Sequence, residues 1–291
     1  MGQAQPSLPV PAREALLAWY EPRARAYPWR RGRGSAYRTL VSELMLQQTQ
    51  AARVVATYSA FVRAFPTVRV LAAASRADVL RAWAGLGYNR RAVSLHRAAQ
   101  AVVTEHGGRV PTDPVALRAL PGVGPYTAAA VASIAGGKAI AAIDVNVRRI
   151  VARVAYGRDA PLVPTGSVDA TATRWVDRTD PGAWNQALMD LGREHCRAMP
   201  RCDGCPLADA CRWLRAGRAP VRDARKQARF EGSMRQVRGG VVDVLRARSS
   251  AEVATLSRTT GFATDRIVEA LDGLERDGVV RRSGSSYRLP D

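Results

Sequence analysis

With 291 residues, 47% of them hydrophobic, the chain has material for roughly two domains with cores of their own and a small third. It has no run of about 18 uncharged apolar residues, and its opening MGQAQPSLPVPAREA lacks the apolar core of a signal peptide, so a helical membrane span is excluded and a soluble, cytosolic protein is expected. A net charge of +19 and a pI of 11.1 point to a polyanionic partner, because counterion release supplies most non-specific affinity for nucleic acid; a generally basic, solvated surface is the alternative. From residue 219 onward there are 14 basic and 10 acidic side chains, so most of the excess lies upstream. Only Lys138 and Lys226 are lysines, which leaves few amines for Schiff-base chemistry.

Apolar residues three and four apart predict helices in AREALLAWYEP, TLVSELMLQQTQAARVVATYSAFVRAF, ADVLRAWAGL, AVSLHRAAQAVVTEH and GAWNQALMDLGREHC. RRGRGSAY, GLGYNRR, HGGRVPTDP and LPGVGP read as turns between them. Nothing in this body alternates with period two, so it is an all-α array as far as about residue 215. Residues 219–235 are polar and charge-rich, a linker in composition. Beyond them, VRGGVVDVLRAR, SAEVATLSRTTG and ATDRIVEALDGLERDG predict three short helices, and VVRRSGSSYRLP a β-hairpin. That order resembles a winged helix; a DNA-binding unit and a plain helical appendage both remain open.

All four cysteines fall in CRAMPRCDGCPLADAC, at Cys196, Cys202, Cys205 and Cys211. Such clustering in a chain without an export signal points to a metal centre rather than disulfides, and four thiolates suit either zinc or an iron–sulfur cluster. In LPGVGPYTAAA, Gly122 and Gly124 stand where a tight turn runs into a helix N-terminus, whose N–H groups and dipole favour an anion such as a DNA phosphate; an ordinary helix–turn–helix loop would read the same way.

LPGVGPYTA followed by IDVNVRRI resembles the helix-hairpin-helix (HhH-GPD) glycosylase superfamily, and SELMLQQTQAARV, GLGYNRR and the cysteine loop are similar to its MutY-type adenine DNA glycosylases, over roughly residues 12–214. The resemblance implies a mainly α, two-lobed fold: a six-helix barrel lobe and an iron–sulfur cluster lobe, with DNA gripped between them, followed here by a small winged-helix-like C-terminal domain. In those terms residues 1–30 give an N-terminal helix to the cluster lobe, 31–142 form the barrel with its helix-hairpin-helix, 143–218 the cluster domain, 219–235 the linker and 236–291 the C-terminal domain. The implied activity is monofunctional hydrolysis of the N-glycosidic bond of adenine mispaired with 8-oxoguanine or guanine in duplex DNA, by a monomer at the nucleoid. Because the bond is out of reach inside a duplex, the nucleotide must be extruded first. The implied cofactor is a 4Fe-4S cluster on the four cysteines, with zinc as the alternative, since five residues separate the first two cysteines where the family usually has six.

The chemistry needs a proton donor for the leaving base and a negative charge beside the developing oxocarbenium ion. By resemblance these are Glu43, whose apolar helical setting favours the protonated carboxyl, and Asp144, which would otherwise serve as an N-cap for VNVRRIVARV and can do both. Tyr126 corresponds to the residue that hydrogen-bonds the aspartate, and Asn146 to a polar partner near the reacting sugar. Gln47, Gln48, Thr49, Leu86 and Tyr88 match the segments that fill the base stack and contact the opposite purine, and Arg25 and Gln186 the places that contact the flipped adenine. Trp29 reads as core. An endonuclease III-like glycosylase/lyase is the nearest alternative, but it uses a lysine where this chain has Tyr126; a thymine-mismatch glycosylase and a non-catalytic, metal-clipped DNA-binding protein are the others. Family members commonly end in a Nudix-like β-rich domain that reads 8-oxoguanine, whereas the tail here reads as helices and a hairpin and contains no histidine.

Overall fold

The structure, a computed structural model, describes residues 6–31, 34–217 and 229–291; most of the segment read as a linker lies outside the described residues. The chain is mainly helical and divides into two compact units, each assembled from separate stretches of sequence: residues 1–39, 112–118 and 123–225 in the first, and 40–111, 119–122 and 226–291 in the second. Among the described residues no helix is long and apolar enough to cross a membrane.

The second unit takes most of α2 (Ala36–Leu46), then α3 (Ala51–Ala64), α4 (Val68–Ala73), α5 (Arg76–Ala82) and α6 (Arg90–Glu105). The starts of its short helices are set by polar side chains: Thr67 accepts from the Val70 N–H, and Ser75 from the Asp78 N–H. α6 packs against α4 and α5 around Leu71, Leu80 and Leu95, all fully buried. Phe61 meets Phe65 and Trp83 edge-on at 4.9 and 5.8 Å.

α7 (Pro114–Ala119), the turn 120–124 and α8 (Pro125–Ile134) follow as a helical hairpin. The first unit is then built around α9 (Val145–Tyr156), which packs against α10 (Thr165–Trp175), α11 (Pro181–Glu194) and α12 (Arg212–Arg215), while α1 (Val10–Tyr20) and α8 pack on α11. Its core joins Leu16 and Tyr20 of α1 to Ile150, Val151, Trp175, Trp184 and Leu188, with Cys196, Cys205 and Cys211 packed at its margin. Trp29, expected in the core, is half-buried and instead stacks on Tyr27 with ring centroids 4.7 Å apart.

The C-terminal segment belongs to the second unit. It forms α13 (Met234–Ala247), β1 (Ala251–Glu252), α14 (Val253–Thr260), α15 (Thr264–Arg276), β2 (Arg281–Ser283) and β3 (Ser286–Arg288). The three helices pack on one another over Val241, Leu256, Ile267 and Leu271. The sheet is antiparallel in the order β1-β3-β2, with Tyr287 facing Ala251 on one side and Arg282 on the other. β1 is an addition to the expected helices and hairpin: two residues are too few for a period of two to show in sequence.

Candidate active site

Two loops of the second unit stand out by backbone conformation. Gln48, after α2, has φ +54°, and Tyr88, before α6, has φ +45°; among the described residues no other non-glycine has a positive φ. Left-handed geometry costs a side-chain-bearing residue on the order of 1 kcal/mol, and such strain gathers where backbone shape serves function. Both loops are held by Arg91, a buried residue of α6. Its Nη1 donates to the carbonyls of Leu44, Met45 and Gln47 at 2.8, 2.8 and 2.5 Å, and its Nη2 to Thr49 Oγ1, Leu86 O and Gly87 O at 2.9, 3.2 and 3.2 Å. Burial pulls the Arg91 guanidinium down to about 10. Gln47 and Thr49 are half-buried and Gln48 is exposed. Leu86 has its side chain in the core, 1% exposed, so its carbonyl rather than its side chain takes part in the loop contact. Tyr88 is 39% exposed, with the Arg91 guanidinium 5.5 Å from its ring centroid.

The two glycines of the hairpin turn differ in what they require. Gly122 has φ +78°, and a Cβ there would lie 2.5 Å from Ser94 Cβ, so both conformation and space demand glycine. Gly124 caps α8 with φ −84°, Pro125 follows at the first helical position, and a Cβ on Gly124 would have nothing within 4 Å. Its lack of a side chain leaves open space at a helix N-terminus that no side chain caps.

Glu43 lies in α2, 5% exposed, within a run of buried residues from Leu40 to Met45. Asp144 is the N-cap of α9: its Oδ1 accepts from the N–H groups of Asn146 and Val147 at 2.9 and 2.8 Å, and its Oδ2 from Asn146 Nδ2 at 2.6 Å. Asn146 passes the connection on, since its Oδ1 accepts from Arg149 Nη2 at 2.6 Å, and Arg149 Nε donates to the Cys196 carbonyl at 2.7 Å. Gly192 of α11 makes room for Asn146, whose Cβ would be 2.6 Å from any Cβ on that glycine. Tyr126, half-buried in α8, packs with Ala129, Ala130 and Ala142, and its hydroxyl donates to Met189 Sδ at 3.4 Å.

Gln186, on α11, accepts from the Tyr20 hydroxyl at 2.7 Å through Oε1, and burial pushes the Tyr20 phenol up to about 12. Below it Arg30 makes a two-pronged pair with Asp190, at 2.7 and 3.1 Å, with both side chains under a tenth exposed. The Arg30 guanidinium also lies 5.5 and 5.1 Å from the Tyr20 and Tyr27 rings. Arg25 is exposed, and its carbonyl accepts from Arg31 Nε.

The four cysteines line one pocket of about 390 Å³, counting its open mouth, together with Ile150, Leu191, Leu207 and Trp213. Burial raises the Cys196 thiol against the pull of Arg153, whose Nη1 lies 3.8 Å from Cys196 Sγ, and burial raises the Cys205 thiol to about 11. Arg153 is itself buried and paired to Asp159 at 2.6 Å, while its Nη1 and Nη2 donate to the carbonyls of Arg197 and Ala198. Among the described residues no three His, Cys, Asp or Glu side chains are already drawn to the spacing of a bound ion.

Residues 41–163 match the family described as HhH-GPD superfamily base excision DNA repair protein. An adenine DNA glycosylase of Mycobacterium tuberculosis strain H37Rv is 45% identical over 287 residues, which cover 94% of this chain and 92% of that protein. The chain belongs to the adenine DNA glycosylases of the HhH-GPD superfamily. The human adenine DNA glycosylase is 42% identical over 211 residues, covering 69% of this chain and 39% of that protein. In fold the glycosylase is similar to a thermostable thymine-DNA glycosylase, with a TM-score of 0.64 and 27% identity over 70% of this chain and 95% of that one. It is also similar to an endonuclease III in a non-covalent DNA complex, with a TM-score of 0.59 and 23% identity over 70% and 94%, a likeness of fold alone.

Among the residues singled out from the glycosylase sequence, Asp144 and Asn146 touch each other, and Thr49 and the Leu86 carbonyl share Arg91. Missed were Arg91, Arg149, Arg153 and the Arg30–Asp190 pair. In a chain with 44 lysines and arginines an individual arginine carries no mark of burial, and the signal that existed was position alone: Arg91 ends GLGYNRR, and Arg149 follows Asn146 within the same motif.

Proposed function

We propose that this enzyme removes adenine from DNA by hydrolysing its N-glycosidic bond, as the first step of base excision repair. The observation that carries the reading is the near end-to-end match to an adenine DNA glycosylase, 45% identical over 94% of the chain; Glu43 and Asp144, in SELMLQQTQ and IDVNVRRI, are the carboxylates the reading assigns to the chemistry. The target is duplex DNA with the adenine opposite 8-oxoguanine or guanine, and the nucleotide is extruded at a cost of a few kcal/mol.

In this reading Glu43 protonates the leaving base as the C1′–N bond breaks, and the Asp144 carboxylate stabilises the positive charge that develops on the sugar. Water then adds at C1′, leaving an abasic site and free adenine. Asn146 and Arg149 orient the carboxylate, which is supported by the 2.6 Å bonds along Asp144, Asn146 and Arg149. Tyr126 and Gln186 serve the aspartate and the flipped base, Arg25 the base, and Gln47, Gln48, Thr49 and Tyr88 the opposite purine, while Gly122 and Gly124 shape the turn that meets a phosphate. Tyr126 has no amine, Lys138 is exposed beyond α8, and Lys226 lies outside the described residues, so the reading has base release without strand scission.

The cysteine pocket suits a 4Fe-4S cluster: four soft donors share one pocket with apolar walls, and the Arg153 guanidinium beside Cys196 offsets the negative charge of a thiolate set. When bound, the cluster supplies four covalent tethers, which would pin residues 196–211 to the core of α9 and α11. The deciding experiment incubates the purified protein with labelled duplexes holding A opposite 8-oxoguanine, A opposite G, and T opposite G, with and without alkali. Cleavage only after alkali, and only at adenine, is expected. Cleavage without alkali, covalent trapping by borohydride, or release of thymine in place of adenine would defeat the proposal.

A further inference from the structure

The C-terminal segment has a helix–turn–helix in α14 and α15, and in that motif the second helix is the one that enters a DNA groove. Here the exposed charged positions of α15 are Asp265, Glu269, Asp272 and Glu275 against Arg276, a face that phosphate repels. The arginines of the β2–β3 hairpin are also engaged: Arg281 and Arg288 pair with Asp291, and Arg282 Nε donates to the Gly284 carbonyl. The other basic side chains on these helices, Arg258 of α14 and Arg266 of α15, are outnumbered by the four acids of α15.

Other parts of the segment pack on the rest of the second unit. α13 packs against α5, and Arg246, its side chain 12% exposed, reaches two points. Its Nε donates to the carbonyl of Leu80, in the last turn of α5, at 3.0 Å, and its Nη2 to Asn89 Oδ1 at 2.9 Å. Asn89 is 8% exposed and stands at the N-cap of α6, yet makes no side-chain cap bond, its amide oxygen being taken by Arg246. Leu80, in the helical turn before the loop that carries Tyr88, and Asn89, the last residue of that loop, flank it, so one guanidinium spans both sides of a strained loop. Further contacts flank it, among them Arg90 Nε to Asp277 Oδ1 at 3.8 Å. Arg235 Nη1 lies 3.4 Å from the Tyr88 hydroxyl, and Arg76 Nη1 donates to the Gly278 carbonyl at 3.4 Å. Gly278 has φ +70°, a left-handed backbone that glycine adopts without strain.

We infer that the C-terminal domain is a brace that holds the Tyr88 loop in its DNA-ready shape, with Arg246 as the positioning residue. Arg91 grips the loop from inside the helical core, and Arg246 fixes both its sides from the C-terminal domain. The inference rests on the reading that Tyr88 enters the base stack, and its partner is the protein's own loop rather than a second stretch of DNA.

Two measurements on the 291-residue chain test it. The first is hydrogen exchange without DNA, which reads the brace whatever Tyr88 does. Arg246→Ala should raise exchange of the 84–89 amides by about tenfold while α13 and α15 keep their protection, and Arg246→Lys, which can reach one of the two acceptors, should fall between. Unchanged loop exchange, or a rise spread through the C-terminal helices, overturns the brace. The second is a double-mutant cycle in binding a duplex with an abasic-site analogue opposite 8-oxoguanine. Arg246→Ala should weaken binding about tenfold in the wild-type background and less than about twofold when Tyr88→Ala is already present. Equal losses in the two backgrounds overturn the inference. Tyr88→Ala that binds and excises like wild type, with the loop exchange still raised by Arg246→Ala, removes the assigned role of Tyr88 and leaves the adenine activity to be judged by the excision assay.

Discussion

Replacing Arg91 with Met keeps most of the side-chain volume and removes every donor from the hub that joins the two strained loops. Of its six acceptors, the carbonyls of Leu44, Met45 and Leu86 are fully buried, and water has no route to replace the guanidinium there. A buried acceptor left unsatisfied costs about 1–3 kcal/mol; Leu86 O keeps the Thr49 hydroxyl at 3.4 Å, so the Leu44 and Met45 carbonyls set a loss of about 2–6 kcal/mol, while the half-buried acceptors at Gln47, Thr49 and Gly87 can turn to solvent and add little. Part of the loss is offset because the charge is itself penalised by burial, as its lowered pKa of about 10 shows. The net expectation is about 3 kcal/mol, or roughly 6–12 °C in Tm. It is read by denaturant unfolding followed through tryptophan fluorescence, since Trp83 sits beside the hub with the Arg91 guanidinium 5.5 Å from its ring centroid. Arg91→Lys should recover part of the stability and little of the DNA affinity, because a single ammonium cannot span both loops. A Met variant that loses less than about 1 kcal/mol and binds DNA as wild type would refute the reasoning, for the hub would then be dispensable.

Asp144→Asn should abolish adenine release yet cost less than about 0.5 kcal/mol of stability, because Asn is as good an N-cap as Asp for α9; single-turnover excision and thermal melting separate the two effects. Gly122→Ala should destabilise by about 1–3 kcal/mol from its left-handed backbone and the 2.5 Å approach to Ser94, whereas Gly124→Ala should melt like wild type but bind duplex more weakly. A normal melt for the first, or normal binding for the second, contradicts the division of labour drawn for the turn. His96 is buried with Nε2 3.0 Å from the Ala74 carbonyl and Nδ1 unpartnered, and burial, then Arg76 and Arg97, hold its pKa below the ordinary 6.5. The unfolded chain therefore binds the proton first. Stability from this site is present in full above pH 6.5 and is lost as pH falls from there through the folded value, and His96→Gln should flatten that part of a stability–pH curve.

The helices of both units and the order of the C-terminal elements were legible because a period of 3.6, N-capping residues and glycine–proline turns are local properties. Asp144 shows how far this reaches. Its place before VNVRRIVARV already marked it as a cap, and the cap bonds to Asn146 and Val147 involve neighbours in sequence. Gly122 was legible as a turn glycine, but its clash partner Ser94 lies in a distant helix, so only packing separates it from Gly124. The short strand β1 was not legible, since it exists only through pairing with β3 across more than 30 residues.

What the sequence determined by itself is the family, the helical body, the cap at Asp144 and the clustering of four cysteines, all written in contiguous motifs. What only the tertiary structure decided is which of many arginines do structural work. Arg91 gathers acceptors from Leu44 to Gly87, Arg153 closes on the cysteine loop, and Arg246 reaches from the C-terminal domain to both sides of the Tyr88 loop. The physical reason is that a guanidinium carries the same charge and donors wherever it stands. Its role is set by the carbonyls that the fold brings to it and by the water that the fold keeps away.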